Sequence, residues 1–391
     1  MYFIYSRFIQ GISQAIKNVY GDEDVYYFFD EVQYATDWDR WLKTIYDTQP
    51  FSKAVATGSA SPVLVKKASE SGVGRWVVLQ VPTLSFYEYC QLLNVEEQPN
   101  LSLDIRPTGL INFDRREWTE LFLKLSGLQK YFHRYLQVGG FPELALSRDS
   151  FSAQIIMRDD VVDKVLKRDL PSLYNIRNTT DLERIFLYLC FCSSNIISIE
   201  AISKELGSIS RSTVDNYIQY LESANLIFRS FPVDLSGKKL LKPRSKIYIA
   251  DAAIRNAVLM KEDQLTNPEE MGIMVETSVY RHIAAFYYQN TAQVGYWRGG
   301  KKGNEIDIVV DFPKGRILIE VKYREQATIG EKDAIYQLAD IADASIVVTK
   351  RADDYGIQAT PGSKKLLRIP AFAFLYLLGH AEKHGYKGHR P

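Results

Sequence analysis

The amino-acid sequence predicts an α/β protein of several domains. Three observations carry that reading. Helix and strand signals alternate over the first stretch, the pattern of a layered α/β structure. A continuous apolar run, Val25-Tyr26-Tyr27-Phe28-Phe29, has the length and β-rich composition of a buried parallel strand and runs straight into two acids. Towards the other end, the alternating runs Asn304 to Asp311 and Arg316 to Tyr323 flank the turn material Phe312-Pro313-Lys314-Gly315, as in an antiparallel hairpin.

Size and composition bound the possibilities. A chain of 391 residues with 46% hydrophobic content has room for two or three domains, each able to bury its own core. Lys and Arg total 48 against 47 Asp and Glu, so the net charge is +1. That balance excludes a wholly basic nucleic-acid coat and leaves room for a local basic patch. Cys90, Cys190 and Cys192 lack zinc-finger spacing and read as small buried hydrophobes in a reducing compartment. No apolar run approaches the roughly 20 residues of a membrane span. The start, Met1 to Arg7, is too short and too soon interrupted by charge for a signal peptide. A cytoplasmic protein with no membrane partner is expected.

Along the chain, Ile4 to Val19 has helical apolar spacing, Trp38 to Tyr46 reads as a helix, and Lys53 to Ala56 as a second strand. Residues 1–93 form the first unit. Residues 94–180 form a helical lid or connection. Within it, Asn94 to Asn112 is a polar link and Glu117 to Gln137 is helical, stopped by Gly139-Gly140-Phe141-Pro142. Residues 181–255 are mostly helical. Residues 256–391 mix long helices with β-rich runs, and Ala371 to Leu378 is a core strand or helix.

The sharpest signal of the first unit is Phe28-Phe29-Asp30-Glu31-Val32-Gln33. A buried parallel strand delivers its last residues to the carboxyl edge of its sheet, where ligands bind. Two acids there are either a Mg²⁺-holding pair or a solvated turn. The text that follows bears on the choice: Ala56-Thr57-Gly58-Ser59-Ala60-Ser61, Gly74-Arg75, Leu84-Ser85-Phe86-Tyr87-Glu88, and Tyr135-Leu136-Gln137-Val138-Gly139-Gly140-Phe141-Pro142-Glu143. In order and spacing this series resembles a large family of prokaryotic AAA-type ATPases, and the resemblance covers nearly the whole chain. It implies ATP and Mg²⁺ as cofactors, with Asp30 and Glu31 as the Walker B acids, one holding Mg²⁺ and the other orienting water. It implies that Thr57 and Ser59 sense the γ-phosphate, and that Arg75 faces nucleotide in its own or a neighbouring subunit. Outside the resemblance, Thr57 and Ser59 are turn residues and Arg75 a surface charge. The family also carries a Gly-rich loop ending in Gly-Lys-Ser/Thr well before the acidic strand. None of the 29 residues before Asp30 forms that motif. The expectation is an incomplete P-loop AAA-type core from Walker B onward: a truncated chain, a start inside a longer frame, or a natural remnant. A homo-oligomer, or a partner that supplies the missing loop, is expected.

The middle of the chain carries a helix-turn-helix pattern. Ile199 to Leu206 is a short helix, Gly207 to Ser210 a turn with Ser210 as N-cap, and Arg211 to Ala224 a second helix. Val214, Tyr217, Ile218 and Leu221 sit at core spacing, opposite Arg211, Ser212, Asp215, Asn216 and Gln219. Leu226 to Phe231 reads as a wing strand, with Lys238, Lys239, Lys242, Arg244 and Lys246 clustered before Ile247-Tyr248-Ile249. This is the pattern of a winged helix, with Arg211 entering a DNA major groove and Lys238, Lys239 and Lys242 on phosphates. The same pattern also serves as a packing module beside ATPase cores, and Asp215 counts against tight DNA contact.

The C-terminal hairpin presents acids and a lysine. Centred between Pro313 and Lys314, it sets Asp307 opposite Glu320 and Glu305 opposite Lys322. Regular alternation then puts Ile306, Ile308, Val310, Ile317, Ile319 and Val321 on one face and Glu305, Asp307, Glu320 and Lys322 on the other. Facing carboxylates repel unless a cation sits between them, and Mg²⁺ or Mn²⁺ suits such donors. A lysine on the same face can position an attacking water. The pattern resembles the restriction-endonuclease-like fold. The resemblance implies metal ligands Glu276, Asp307 and Glu320, with Glu276 reaching in from an upstream helix, and Lys322 as the catalytic lysine. It matches Trp297-Arg298 to an aromatic-Arg pair before the hairpin and brings Gln337 to the site. The plainer alternative is a charged outer face with a Glu305–Lys322 cross-strand pair. Three functions follow: an ATPase by descent with impaired nucleotide function acting on or near nucleic acid, a metal-dependent nuclease on an ATPase scaffold, or a non-catalytic DNA-binding regulator.

Overall fold

The computed structural model describes residues 11, 15, 18–19, 25–35, 37–49, 52–58, 75–102, 105–207, 209–235, 244–261, 264–288, 292–299, 304–313, 315–360 and 365–385. Within these limits the chain is a mixed α/β protein with two sheets. The helix expected over Ile4 to Val19 lies mostly outside them.

The first sheet is a parallel pair. Strand β1 (Val25–Phe29) runs beside β2 (Ser52–Ala56), from Val25 opposite Ser52 to Phe29 opposite Ala56. The helix Trp38–Thr48 crosses between them. Its Trp38, Trp41, Leu42 and Ile45 recur at helical spacing and close on Tyr27 and Val32 as a cluster of their own. The Phe29 ring meets the edge of Trp41 at 4.7 Å between centroids. Tyr26, Phe28 and Val55, on the other face, are exposed.

From Phe86 onward the core is different. The helix Phe86–Leu92 starts on a capping box between Ser85 and Glu88, and it packs on the C-terminal helix Ala371–Gly385. Ala371 to Leu378 is therefore helical, and it is buried all round, which erases the amphipathic period that distinguishes helix from strand. The expected helical stretch Glu117 to Gln137 is realised as Arg115–Leu125 and Gln129–Val138. The second helix ends at Gly139, in left-handed backbone with φ of 70°.

That ending is built around one buried acid. Asp251 accepts hydrogen bonds from the Gly140 amide at 3.0 Å and the Thr83 hydroxyl at 2.9 Å. Its other oxygen accepts from the Ala253 amide at 2.9 Å and caps the helix Ala252–Leu259. A Cβ on Gly139 would lie 2.0 Å from Asp251 Oδ1. The Gly139-Gly140 motif is thus explained by packing and backbone conformation.

The second sheet has nine strands in the order β10-β11-β9-β8-β7-β6-β4-β5-β3. The strands are β3 (Asn195–Ile196), β4 (Ile227–Pro232), β5 (Lys246–Ile249), β6 (Gln293–Gly299), β7 (Asn304–Phe312), β8 (Gly315–Lys322), β9 (Ala344–Thr349), β10 (Gly356–Ala359) and β11 (Lys365–Pro370). Strands β3, β5 and β4 form an antiparallel ribbon beside the helices Ile199–Glu205 and Arg211–Ser223. Strand β4 then pairs in parallel with β6, Phe231 opposite Gly295 and Pro232 opposite Tyr296. A Cβ at Gly295 would lie 2.2 Å from the Phe231 carbonyl oxygen, so this join requires glycine. One sheet therefore runs across the boundary drawn between residues 255 and 256. Helix Pro268–Tyr287 covers one face of it, and Ala334–Gln337 packs on the other. Among the described residues no helix is long and apolar enough to cross a membrane.

Replacing Gly139 by Ala is expected to destabilise the protein by roughly 2–4 kcal/mol, through positive φ and collision with Asp251. Urea denaturation of the variant beside the Gly109→Ala control, where an added Cβ meets open space, measures it. Equal midpoints for the two variants would contradict this packing account.

Candidate functional site

Two groups of sequence-derived site residues can be followed in the structure. At the carboxyl ends of the parallel pair, the Thr57 hydroxyl donates to Asp30 Oδ1, which also accepts from the Glu31 amide at 3.1 Å. The Thr57 amide donates to the Phe29 carbonyl at 2.8 Å, and the Val32 amide donates to the Thr57 carbonyl at 3.1 Å. Glu31 sits in left-handed backbone with φ of 54° and accepts from the Gln33 side chain. Asp30 and Glu31 are exposed. Arg75 Nε donates to Asp47 Oδ1 at 3.0 Å, which holds it on the helix Trp38–Thr48. Ser59 lies outside the described residues.

The helix pair of the middle region begins as its sequence predicts, with Ser210 accepting from the Thr213 amide at 3.0 Å. Arg211 is exposed and bonded to Glu200 at 2.7 Å. Asp215 pairs with Arg229 at 3.7 Å. Tyr217, expected in the core, is half-buried and donates its hydroxyl to the Asn178 carbonyl at 3.3 Å. Lys238, Lys239 and Lys242 lie outside the described residues. Lys246, expected to belong to their solvated basic cluster, is instead 2% exposed and opens strand β5.

Lys246 is the centre of the second group. Its Nζ lies 2.8 Å from Glu276 Oε1, 2.9 Å from Glu305 Oε1 and 3.0 Å from Asp307 Oδ1. The Tyr248 hydroxyl donates to Glu276 at 2.9 Å, and its ring stacks on Tyr280 at 4.0 Å. Asp307 Oδ2 accepts from the Val321 amide at 2.9 Å. Lys322 bonds to Glu320 Oε1 at 2.5 Å, whereas the buried Glu320 Oε2 has no hydrogen-bond partner. Gln337 is exposed and donates to the Glu331 carbonyl at 3.0 Å.

The register expected for the hairpin is met where the strands pair, from Ile308 opposite Ile319 to Phe312 opposite Gly315. The expected faces are not. Strand β7 bulges against β6: Val309 faces Gly295, but Ile306 faces Trp297. Two residues, Asp307 and Ile308, thus occupy the span of one. Ile306 consequently joins Val309, Leu318 and Ala334 in one cluster, while Ile308, Val310, Ile317 and Ile319 pack with helix Pro268–Tyr287. Glu305 and Asp307 turn to the Glu276 side, whereas Glu320 follows Leu318 in strand alternation.

Burial sets the electrostatics. Burial and the Asp307 charge push Glu276 up to about 7, against the pull of Lys246. Burial and Asp307 push Glu320 up to about 8, against Lys322. Burial works against the Lys246 ammonium, but Asp307 and the other acids outweigh it and hold its pKa well above the usual lysine value. The carboxylate donors have the hard-oxygen chemistry that Mg²⁺ or Mn²⁺ prefers. The present arrangement does not fit either ion, because Lys246 Nζ lies where three of the carboxylates converge. Among the described residues, no group of three or more His, Cys, Asp or Glu is disposed to hold a metal. The central lysine was not singled out from sequence. Its one local signal is a lysine placed directly before the apolar run Ile247-Tyr248-Ile249.

Comparison with known proteins bears on this geometry. An AAA domain matches residues 4–90, a domain of unknown function (DUF8612) residues 129–265, and a second one (DUF4143) residues 271–372. The chain is 26% identical over 310 residues to uncharacterized protein MJ1544 of Methanocaldococcus jannaschii, covering 78% of this chain and 63% of that protein. It is 24% identical over 340 residues to an uncharacterized protein of Haemophilus influenzae, covering 80% and 76%. The crystal structure of protein VC1899 from Vibrio cholerae aligns with 92% of this chain and 90% of its own at 12% identity, with a TM-score of 0.21. That score is too low to carry an argument. The AAA and DUF4143 matches relate the chain to an AAA-like ATPase family.

Glu320 ties stability to pH. Its folded pKa lies above the ordinary carboxylate value, so its contribution is fully present below about pH 4.5 and is lost as pH rises through about 8. The loss is on the order of a few kcal/mol. The non-titrating Glu320→Gln should therefore gain stability relative to the parent as pH is raised. Urea denaturation at both ends of this window checks it, and a pH-independent difference would contradict it.

Proposed function

We propose that the chain is an ATP-binding protein of AAA-type descent that acts on or near nucleic acid. The observation that carries the nucleotide part is the Thr57 to Asp30 hydrogen bond across the carboxyl ends of two parallel strands. Ligands of α/β sheets bind at that edge. There Asp30 would hold Mg²⁺ and Glu31 would orient an attacking water, with Thr57 and Ser59 reading the terminal phosphate. Arg75 would face nucleotide once released from Asp47. The sequence carries no Gly-Lys-Ser/Thr loop, which in P-loop proteins cradles the phosphates. Tight phosphate binding would need such a cradle from outside these residues.

The nucleic-acid part rests on the winged-helix reading of the helices Ile199–Glu205 and Arg211–Ser223 with the ribbon β3-β5-β4. Arg211 would approach the groove, and Lys238, Lys239 and Lys242 the phosphates. A second reading, a metal-dependent nuclease, is favoured by the gathering of Glu276, Glu305 and Asp307 around one point beside Glu320 and Lys322. The lysine at that point weighs against cleavage and for an inherited fold that binds.

The isolated chain should bind Mg-ATP weakly or not at all by calorimetric titration. A low-micromolar site that disappears in Asp30→Ala would overturn the need for an added cradle. Replacing Lys238, Lys239 and Lys242 by Ala should weaken binding to duplex DNA. It should also flatten the salt dependence by about one counterion per lost phosphate contact. Unchanged affinity and slope in a fluorescence-anisotropy titration would remove these lysines from the interface.

A further inference from the structure

We propose that residues 77–81 are a pairing strand for a second copy of this chain, joined antiparallel about a two-fold axis at Leu79. This inference is independent of the nucleotide reading. The run Val77-Val78-Leu79-Gln80-Val81 is rich in β-branched residues, the composition of a strand. It has no strand partner in the structure, and no hydrogen bond reaches its backbone among the described residues. The run bridges the two packing units and is tied down at both ends. Before it, Arg75 bonds to Asp47, and Trp76 packs on the aromatic cluster of the first unit. After it, the Thr83 hydroxyl donates to Asp251 at 2.9 Å and the Leu84 amide to the Gly140 carbonyl at 2.7 Å. A bridge held at both ends has less freedom left to lose when it pairs.

The pattern of the run says what covers it. Val77, Leu79 and Val81 are 86%, 70% and 91% exposed, against 40% for Val78, and Gln80 is half-buried. That is the alternation of an extended strand. The outward face is Val77, Leu79 and Val81, and it reads the same in both directions. An antiparallel pair centred on Leu79 sets each Val77 opposite a Val81 and the two Leu79 side chains opposite one another. Every cross-strand pair on that face is then apolar. No charged residue lies between Arg75 and Glu88, so nothing on the run repels a second copy. A self-matching patch of this kind is what a two-fold dimer requires. A ribbon this short falls below the roughly 1,200 Å² that stable interfaces bury. The first packing unit offers further apolar area on the outer face of β1 and β2, where Tyr26, Phe28 and Val55 are exposed. Parallel sheets are ordinarily covered on both faces, and the dimer is expected to bury this one as well.

The test is sedimentation velocity on the full chain over a concentration series. The parent should show a reversible monomer–dimer equilibrium. Leu79→Lys sets two like charges face to face at the axis and should weaken the dimer at least tenfold. A charge exchange reads the register. Val77→Lys with Val81→Lys should give a monomer. Val77→Lys with Val81→Glu sets opposite charges across the axis and should keep the dimer. Circular dichroism checks the fold of each variant. Should Leu79→Lys fail to fold, the two exchange variants decide alone. Three results overturn the proposal: a parent that stays monomeric throughout the series, a dimer that Leu79→Lys leaves unaltered, or a Lys–Glu variant as monomeric as the Lys–Lys one.

Discussion

Three carboxylates share one ammonium ion at the junction of strand β5, strand β7 and the helix Pro268–Tyr287. Charges taken out of water are costly, and a cluster of acids can be buried only against a cation with well-placed hydrogen bonds. Lys246 meets that demand with all of its donors. It thereby fixes where β5 lies relative to the hairpin. Removing one partner of such a set leaves uncompensated buried charge, a loss on the order of 3–5 kcal/mol. The Tyr248 ring, stacked on Tyr280 at 4.0 Å, carries the hydroxyl that donates to Glu276.

This junction also accounts for the continuity of the large sheet. Among the described residues, the ribbon β3-β5-β4 is paired with the remaining strands through two residue pairs between β4 and β6. Two parallel pairs alone make a weak seam. The ion cluster adds a second attachment from β5 across to β7, and helix Pro268–Tyr287 packs against both parts. Gly295 lets the backbones close at the seam, and the bulge in β7 aims Glu305 and Asp307 at the lysine. A bulge and a glycine at one junction are the usual means by which a sheet re-aims side chains.

The same economy of buried polar groups holds the helical region. Asp251 satisfies the Gly140 amide, the Thr83 hydroxyl and the start of a helix. Arg255, 2% exposed, donates to the Cys190 carbonyl at 2.9 Å and pairs with Glu270 at 2.5 Å. The parallel pair β1-β2 stands apart from this core, with its own aromatic cluster and one apolar face exposed. The Asp30 edge and the Lys246 centre therefore belong to different packing units.

The sequence by itself determined much of the local structure. The apolar run at Val25, the alternation on both sides of Pro313 and the cap at Ser210 were legible because period, turn chemistry and capping are encoded over a few residues. They set the strand that presents Asp30 and the hairpin register from Ile308 opposite Ile319 to Phe312 opposite Gly315. Only the tertiary structure decided which faces those side chains use. Alternation assumes an unbroken pleat, and the bulge at Asp307 and Ile308 arises from pairing with β6, a strand that the local pattern around β7 does not specify. It likewise decided that Lys246 is no surface charge. Its burial depends on acids 30 to 61 positions further along the chain, and no local pattern encodes a charge balance assembled over that distance.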